Sequence, residues 1–314
     1  MSVLLGSGFS VFKRGKKIYS KDFTDNFKNL AEVVYCKGAY FIYNYNPGRI
    51  LRKIEDWSEP VVWWDKQKIL NVWNYTKNLR VNREGTALIV NLNQTDLVVI
   101  EVIDDGDAGR ELVIKNKSAG RINCHEALLR GRILAVTDEG ELQIYKVDYL
   151  EYSGSTLLKS CQIAFGFDFE SCKLDQDYWL AVCEKSQICA VQVSLKKLGI
   201  ASRILIYQLR DRQGQDVLAF QTQIDLASQQ LSYLGNGCFS PYIGDKLVLC
   251  TQTSSNQAVI AFGYDLKKRE LTQIEKKSLR KGNYCWKLSR VGNQVCGIIQ
   301  NGGFILRFKF SVIF

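Results

Sequence analysis

One pattern recurs along this 314-residue chain: a run of β-branched and aromatic residues, a brief polar turn, and a second such run. EVVYCKGAYFIYNY (32–45) turns at Lys37-Gly38, TALIVNLNQTDLVVIEV (86–102) near Gln94-Thr95, and RILAVTDEGELQIYKV (132–147) at Gly140. YWLAVCEKSQICAVQV (178–193) turns at Lys185-Ser186, KLVLCTQTSSNQAVIAFGY (246–264) at Ser254-Ser255, and NQVCGIIQNGGFILRFKF (293–310) at Asn301-Gly302. At the N-terminus Val11-Phe12 and Ile18-Tyr19 flank the basic turn Lys13–Lys17. Extended, β-prone runs on either side of turn-forming residues are the signature of hairpins. Helical periodicity is nearly missing; QTQIDLASQQLSYL (221–234) carries the best trace of it. The chain therefore reads as all-β.

The spacing of the turns constrains the architecture further. From 95 to 140 to 186 the steps are 45 and 46 residues, and from 255 to 302 the step is 47. A single hairpin cannot bury both of its faces. A hairpin every 45 residues is the length of one four-stranded propeller blade, and blades stacked face to face cover each other's apolar surfaces. Inner strands should then be apolar on both faces, as ILAV (133–136) and LVVIEV (97–102) nearly are. Outer strands should be more polar, as RKIEDW (52–57) and RELTQIEKKS (269–278) are. The pattern predicts a β-propeller of six or seven four-stranded blades forming a single domain over residues 1–314. The 69-residue step from 186 to 255 predicts either an inserted loop, at about 194–221, or half a blade without a legible pattern, and the N-terminal strands are expected to complete the last blade.

Gly140-Glu141-Leu142-Gln143-Ile144-Tyr145-Lys146 resembles the third strand of a WD40 blade, which reads glycine, alternating apolar positions, then Trp-Asp. Tyr145 stands where Trp is usual and Lys146 where Asp is usual; RILAVTDEG before it is similar to the second strand and its turn. Gly302–Phe308 is a weaker echo. No Gly-His pair occurs, and Trp64-Asp65 does not end a recognisable third strand, so the likeness is to a degenerate WD40-like propeller. It implies a non-enzymatic scaffold for protein–protein interaction within a complex, with one or more proteins as partners and no cofactor.

Composition narrows the chemistry. Ten cysteines lie between Cys36 and Cys296, none in a CxxC pair, and several sit inside apolar runs. With no export signal in MSVLLGSGFSVFKRGKK and no transmembrane segment, they read as reduced, buried thiols of a cytoplasmic or nuclear protein. The sequons at Asn74, Asn93 and Asn116 are then chance matches. His125 is the only histidine, which removes most acid–base mechanisms near neutral pH.

Several stretches imitate sites. LGSGFSVFKRGKK (5–17) imitates a kinase glycine-rich loop, but the chain has no His-Arg-Asp and no Asp-Phe-Gly, so it reads as a strand and a basic turn. Cys124-His125-Glu126 groups reactive side chains whose neighbours on a strand point to opposite faces. Asp104-Asp105-Gly106-Asp107 lacks EF-hand spacing and reads as a turn. Trp57, Trp63, Trp64, Trp73 and Tyr75 read as core wedges between blades rather than binding anchors. Asp138 and Glu139 read as turn residues.

The net charge is +10. Two basic clusters carry the candidate anion- or partner-binding residues: Lys13, Arg14, Lys16 and Lys17, and Lys267, Lys268, Arg269, Lys276, Lys277, Arg280 and Lys281. Phosphates of RNA or of an anionic lipid surface would pair with such clusters, giving the alternative function of a phosphate-reading propeller. Leu129-Arg130-Gly131-Arg132 is a distant likeness of the Phe-Arg-Arg-Gly motif of lipid-binding propellers, without the paired arginines.

Overall fold

Strands that are apolar at both odd and even positions need cover on both faces, and the sheet around residues 87–102 shows how it is supplied. The computed structural model describes residues 2–5, 8–13, 16–22, 30–44, 49–54, 61–65, 79–92, 95–104, 107–118, 120–163, 176–183, 186–195, 200–225, 234–243, 246–253, 258–265, 267–278, 285–291, 294–299 and 305–308. All elements among them are strands. They fall into two compact units, Met1–Ile163 and Ala164–Phe314.

The first unit holds four antiparallel sheets. The strands are β1 (Ser2–Leu5), β2 (Gly8–Lys13), β3 (Lys16–Asp22), β4 (Leu30–Cys36), β5 (Ala39–Asn44), β6 (Arg49–Ile54), β7 (Val61–Asp65) and β8 (Leu79–Val81). They continue with β9 (Ala87–Leu92), β10 (Asp96–Val102), β11 (Ala108–Ile114), β12 (Ile122–Leu128), β13 (Arg132–Thr137), β14 (Glu141–Val147) and β15 (Ser155–Gln162). β1–β3 build a three-stranded sheet of their own; β4–β7, β8–β11 and β12–β15 are four-stranded meanders. The first strands of neighbouring sheets lie side by side, β4 against β8 and β8 against β12.

Leu88, Val90, Val98 and Ile100 point from the middle sheet into one apolar layer with Phe41, Tyr43, Ile50 and Trp64. Ala87, Ile89, Leu97 and Val99 point the other way, into a second layer with Ile133, Ala135, Tyr145 and Val147. All of these except Trp64, Tyr145 and Val147 are fully buried, and those three are at most 5 % exposed. Burial of each large aliphatic side chain contributes about 1.5–3 kcal/mol. β13 is buried at every position.

The second unit repeats the arrangement with β16 (Gln176–Cys183), β17 (Ile188–Leu195), β18 (Ile200–Arg210), β19 (Asp216–Asp225), β20 (Leu234–Ile243), β21 (Lys246–Thr253), β22 (Ala258–Asp265), β23 (Glu270–Ser278), β24 (Cys285–Val291), β25 (Gln294–Ile299) and β26 (Ile305–Phe308). β16–β19 and β20–β23 are four-stranded and β24–β26 has three described strands. Seven sheets are thus present among the described residues, five of them four-stranded.

The strand assignment corrects the sequence register. The turns at 38 and 186 join first and second strands, whereas those near 95, 140, 255 and 302 join second and third strands. Measured between the starts of third strands, at Arg49, Asp96, Glu141, Ile200, Ala258 and Ile305, the steps are 47, 45, 59, 58 and 47. Residues 194–221 run through the end of β17, all of β18 and half of β19, so that long step is filled by an 11-residue and a 10-residue strand. Residues 52–54 of RKIEDW belong to the third strand β6; the outer strand of that sheet is β7, with an exposed-to-buried pattern as expected for an outer position. Gln221–Asp225, expected to be the start of a helical stretch, ends β19.

A second mark repeats. Between third and fourth strands the register slips at Ile50/Leu51, Ile144/Tyr145, Ile206/Tyr207 and Ala261/Phe262, and again between Ile100 and Val102. Such bulges sharpen the twist of the outer strand.

Candidate interaction surface

In a four-stranded meander the first and third turns fall at one end of the sheet. In the first unit those ends are drawn together by contacts between turns. The Lys37 ammonium meets the Asp104 carboxylate at 3.2 Å, and Arg52 pairs with Asp107, so β4–β7 grips the β10–β11 turn of the next sheet. The Cys36 thiol donates to the Gly85 carbonyl at 3.2 Å, and burial pushes its pKa up to about 11. Arg83 Nε donates to the Ala127 carbonyl at 3.0 Å, and the Arg110 guanidinium sits 4.9 Å above the Tyr152 ring. Its hydrogen bonds hold the Glu101 carboxylate below the usual range. The result is an array of turns linked across three sheets.

One of these turns, joining β14 to β15, is closed by a network of its own hydrogen bonds. The Asp148 carboxylate accepts from the Leu150 and Glu151 amides at 3.0 and 3.1 Å and from the Ser153 hydroxyl at 2.6 Å. These bonds hold its pKa below the ordinary aspartate value. Backbone bonds Asp148 N to Gly154 O and Tyr152 N to Asp148 O close the loop. Tyr152, with φ +53°, is turned inward against Tyr149 edge to face, 6.3 Å between centroids. This frame holds Leu150 81 % exposed. Leu129, in the β12–β13 turn of the same sheet, is 44 % exposed. The two turns are two strand spacings apart, roughly 10 Å. Tyr35 and Ile103 are further exposed apolar side chains on the same end.

The basic clusters take different positions. Lys13 ends β2 and Lys16 and Lys17 open β3, in the first unit; Arg14 lies outside the described residues. Lys267, Lys268 and Arg269 form the exposed turn between β22 and β23, in the second. Asp265 Oδ1 caps the Lys267 and Lys268 amides at 2.9 and 3.0 Å, and Arg269 adopts φ +59°. Lys276 and Lys277 lie well along β23, seven or more residues beyond Arg269, roughly 20 Å away at the rise of an extended strand. The second cluster is therefore split along its sheet. Arg280 and Lys281 lie outside the described residues.

The remaining sequence candidates are structural where described. His125 is buried on β12 with Nε2 3.3 Å from the Ile89 carbonyl, Cys124 is buried, and Glu126 pairs with Arg80 at 2.8 Å. Trp64 Nε1 donates to Glu111 of the neighbouring sheet at 2.8 Å, and Trp63 stacks edge-on against Phe41 at 4.7 Å. Trp64 thus ties two sheets together, and Trp63 packs partly buried against the same apolar layer; Trp57, Trp73 and Tyr75 lie outside the described residues. Asp138 accepts from the Arg121 amide at 2.6 Å, a turn role. Arg132 is 3 % exposed with Nε on the Leu129 carbonyl, so Leu129–Arg132 does not present two arginines to solvent. Cys36, Cys124, Cys183 and Cys189 are buried and Cys161 is half-buried. No helix among the described residues is long and apolar enough to cross a membrane.

Leu129 entered the sequence reading only through Leu129–Arg132, and Leu150 not at all. The only signal for Leu150 is an Asp148-x-x-x-x-Ser153 frame around a leucine between tyrosines, which carries no periodicity.

No family model and no curated protein matches the chain. Solved structures do. The crystal structure of Sqt1 from Chaetomium thermophilum superposes with a TM-score of 0.62 at 11 % identity, over 98 % of this chain and 79 % of that one. Kluyveromyces lactis Hsv2 superposes with a TM-score of 0.56 at 8 % identity, over 88 % and 85 %. Both are WD40-type propellers. With its antiparallel four-stranded sheets and its Tyr-Lys in place of Trp-Asp, the chain has the fold of a degenerate WD40-like β-propeller.

Proposed function

We propose that this chain is a non-enzymatic interaction scaffold whose first unit takes a protein partner on its array of turns. One observation carries the reading: a loop tied by its own carboxylate holds Leu150 81 % exposed. A loop whose backbone is already ordered loses little conformational freedom on binding, which favours the apolar side chain it presents as an interface anchor. Leu129, Tyr35 and Ile103 extend the apolar contact, and the cross-turn ion pairs link the array. The WD40-type neighbours, generally interaction scaffolds, support the class.

The test is partner capture from cells with the tagged full chain, quantified by mass spectrometry, against Leu150→Asp and Leu129→Asp. Both changes are expected to reduce one reproducible partner set by about 10-fold or more, the scale of a lost anchor. Retention of the same partners, with both variants folded, overturns the assignment to this surface.

The exposed turn Lys267–Arg269 supports a second reading, in which RNA or anionic lipid phosphates bind there. We assign it second place because the companion lysines 276 and 277 are displaced along β23.

A further inference from the structure

A sheet edge advertises unpaired backbone donors and acceptors, and proteins ordinarily blunt it with charges or short strands. Most outer strands here follow that rule. β7 is five residues long, β11 carries Arg110 and Glu111, β15 carries Lys159, and β23 carries Glu275, Lys276 and Lys277. β19 does not. It is ten residues long, the longest of the outer strands, and between Asp216 and Asp225 it reads VLAFQTQI, with no charge and no proline.

β19 ends its sheet order, pairing with β18 on one edge and with no described strand on the other; β23 of the next sheet comes alongside without hydrogen-bonding to it. Phe220, edge-on to Tyr207 at 5.7 Å, remains 46 % exposed, and Ala219 is exposed beside it. Its pairing with β18 slips twice, at Gln221, as in other outer strands, and across Val217–Leu218, so the regular edge runs from Ala219 to Ile224 on either side of Gln221.

We infer that β19 is a strand-addition site, and that its occupant is an extended, uncharged segment of a protein partner about eight residues long with basic residues at its ends. Backbone edges recognise backbone, and an uncharged row of side chains favours an uncharged counterpart. The terminal charges select against a second copy of this chain. Full antiparallel overlap of residues 217–224 with themselves places Asp216 opposite Asp225 at both ends, and directly opposed like charges are unfavourable. On the inner side these aspartates already have arginines, Arg210 at 3.6 Å from Asp216 and Arg203 in register with Asp225.

The probe is a synthetic decapeptide of alternating valine and threonine or glutamine with a lysine at each end, tested by fluorescence anisotropy and amide exchange on the full chain. It is expected to bind at least 10-fold more tightly than the same peptide with a central proline, and to protect residues 217–224. Ala219→Lys, at an exposed position, is expected to reduce binding by a similar factor, and Phe220→Lys serves as a second variant. Equal binding of the proline peptide, protection elsewhere, or binding indifferent to both variants overturns the inference. So does dimerisation of the wild-type chain that Ala219→Lys abolishes, which assigns the edge to a second copy.

Discussion

At the scale of single residues, the departures from the Trp-Asp pattern are replacements with their own bonding. Tyr145 is 1 % exposed; its hydroxyl donates to Gln143 Oε1 at 2.7 Å, and burial pushes its pKa up to about 12. Gln143, fully buried, donates in turn to Glu141 at 3.0 Å. The phenol thus supplies the polar end of a wedge that an indole supplies elsewhere. Tyr145→Phe leaves the Gln143 oxygen without that donor, and an unmade buried hydrogen bond costs about 1–3 kcal/mol. Urea unfolding is expected to show a loss of that order, whereas Tyr35→Phe, at a 53 % exposed position, is expected to change stability by less than about 0.5 kcal/mol. Lys146, in the usual Asp position, donates to the Arg130 carbonyl at 2.6 Å and so fastens the β12–β13 turn to β14.

At the scale of elements, the turns decide which substitutions the fold tolerates. Lys37 and Gly38 form a two-residue hairpin connection with φ of +41° and +78°, the positive values a primed turn needs, and a Cβ on Gly38 would meet nothing within 4 Å. Gly131 has φ +65° as well, but a Cβ there would lie 2.8 Å from the Val147 carbonyl, a backbone atom that cannot swing aside. Gly131→Ala is therefore expected to cost more than Gly38→Ala by about 1–3 kcal/mol in paired thermal melts, strain being the only added factor. The Asp148 loop responds to pH. Its carboxyl pKa is depressed in the folded chain, so the stabilisation is complete above the ordinary aspartate value of about 4 and disappears as pH falls through the lower, native value. Amide protection factors at Leu150 and Glu151 should fall in that acidic window, and Asp148→Ala should lower them at neutral pH.

Elements also show what the sequence made legible. Second and third strands such as β13 and β14 were readable because burial on both faces demands uninterrupted apolar residues. Outer strands are harder to read: β7 contributes one face only, and RKIEDW reads as an outer strand because Arg52 and Lys53 look solvent-facing. The register error at 38 and 186 has the same origin, since a first–second hairpin and a second–third hairpin present identical local patterns. Leu150 was invisible because loops obey no period, and its exposure follows from bonds made by Asp148 rather than from its own neighbourhood in sequence.

At the scale of the whole molecule, a net charge of +10 invites a phosphate ligand, and the two functional readings part over how that charge is used. Lys37, Arg52, Arg80, Arg110 and Lys115 are each committed to a carboxylate of the first unit, at 3.2 Å or less. Cations already paired release few counterions when a ligand arrives, so they contribute little salt dependence. A partner anchored by Leu150 and Leu129 should bind with an affinity that changes only a few-fold between 50 and 200 mM salt, on the order expected for one or two rim charges. A phosphate ligand engaging Lys267, Lys268 and Arg269 should instead show a logarithmic slope of about −2 to −3, close to one per phosphate contact, and should lose it in the charge reversal of those three residues. Titrating the captured partner, a single-stranded RNA and anionic vesicles against the full chain at several salt concentrations separates the two. A steep slope for the partner itself, abolished by the reversal and untouched by Leu150→Asp, would move the functional surface from the turns of the first unit to the β22–β23 turn of the second.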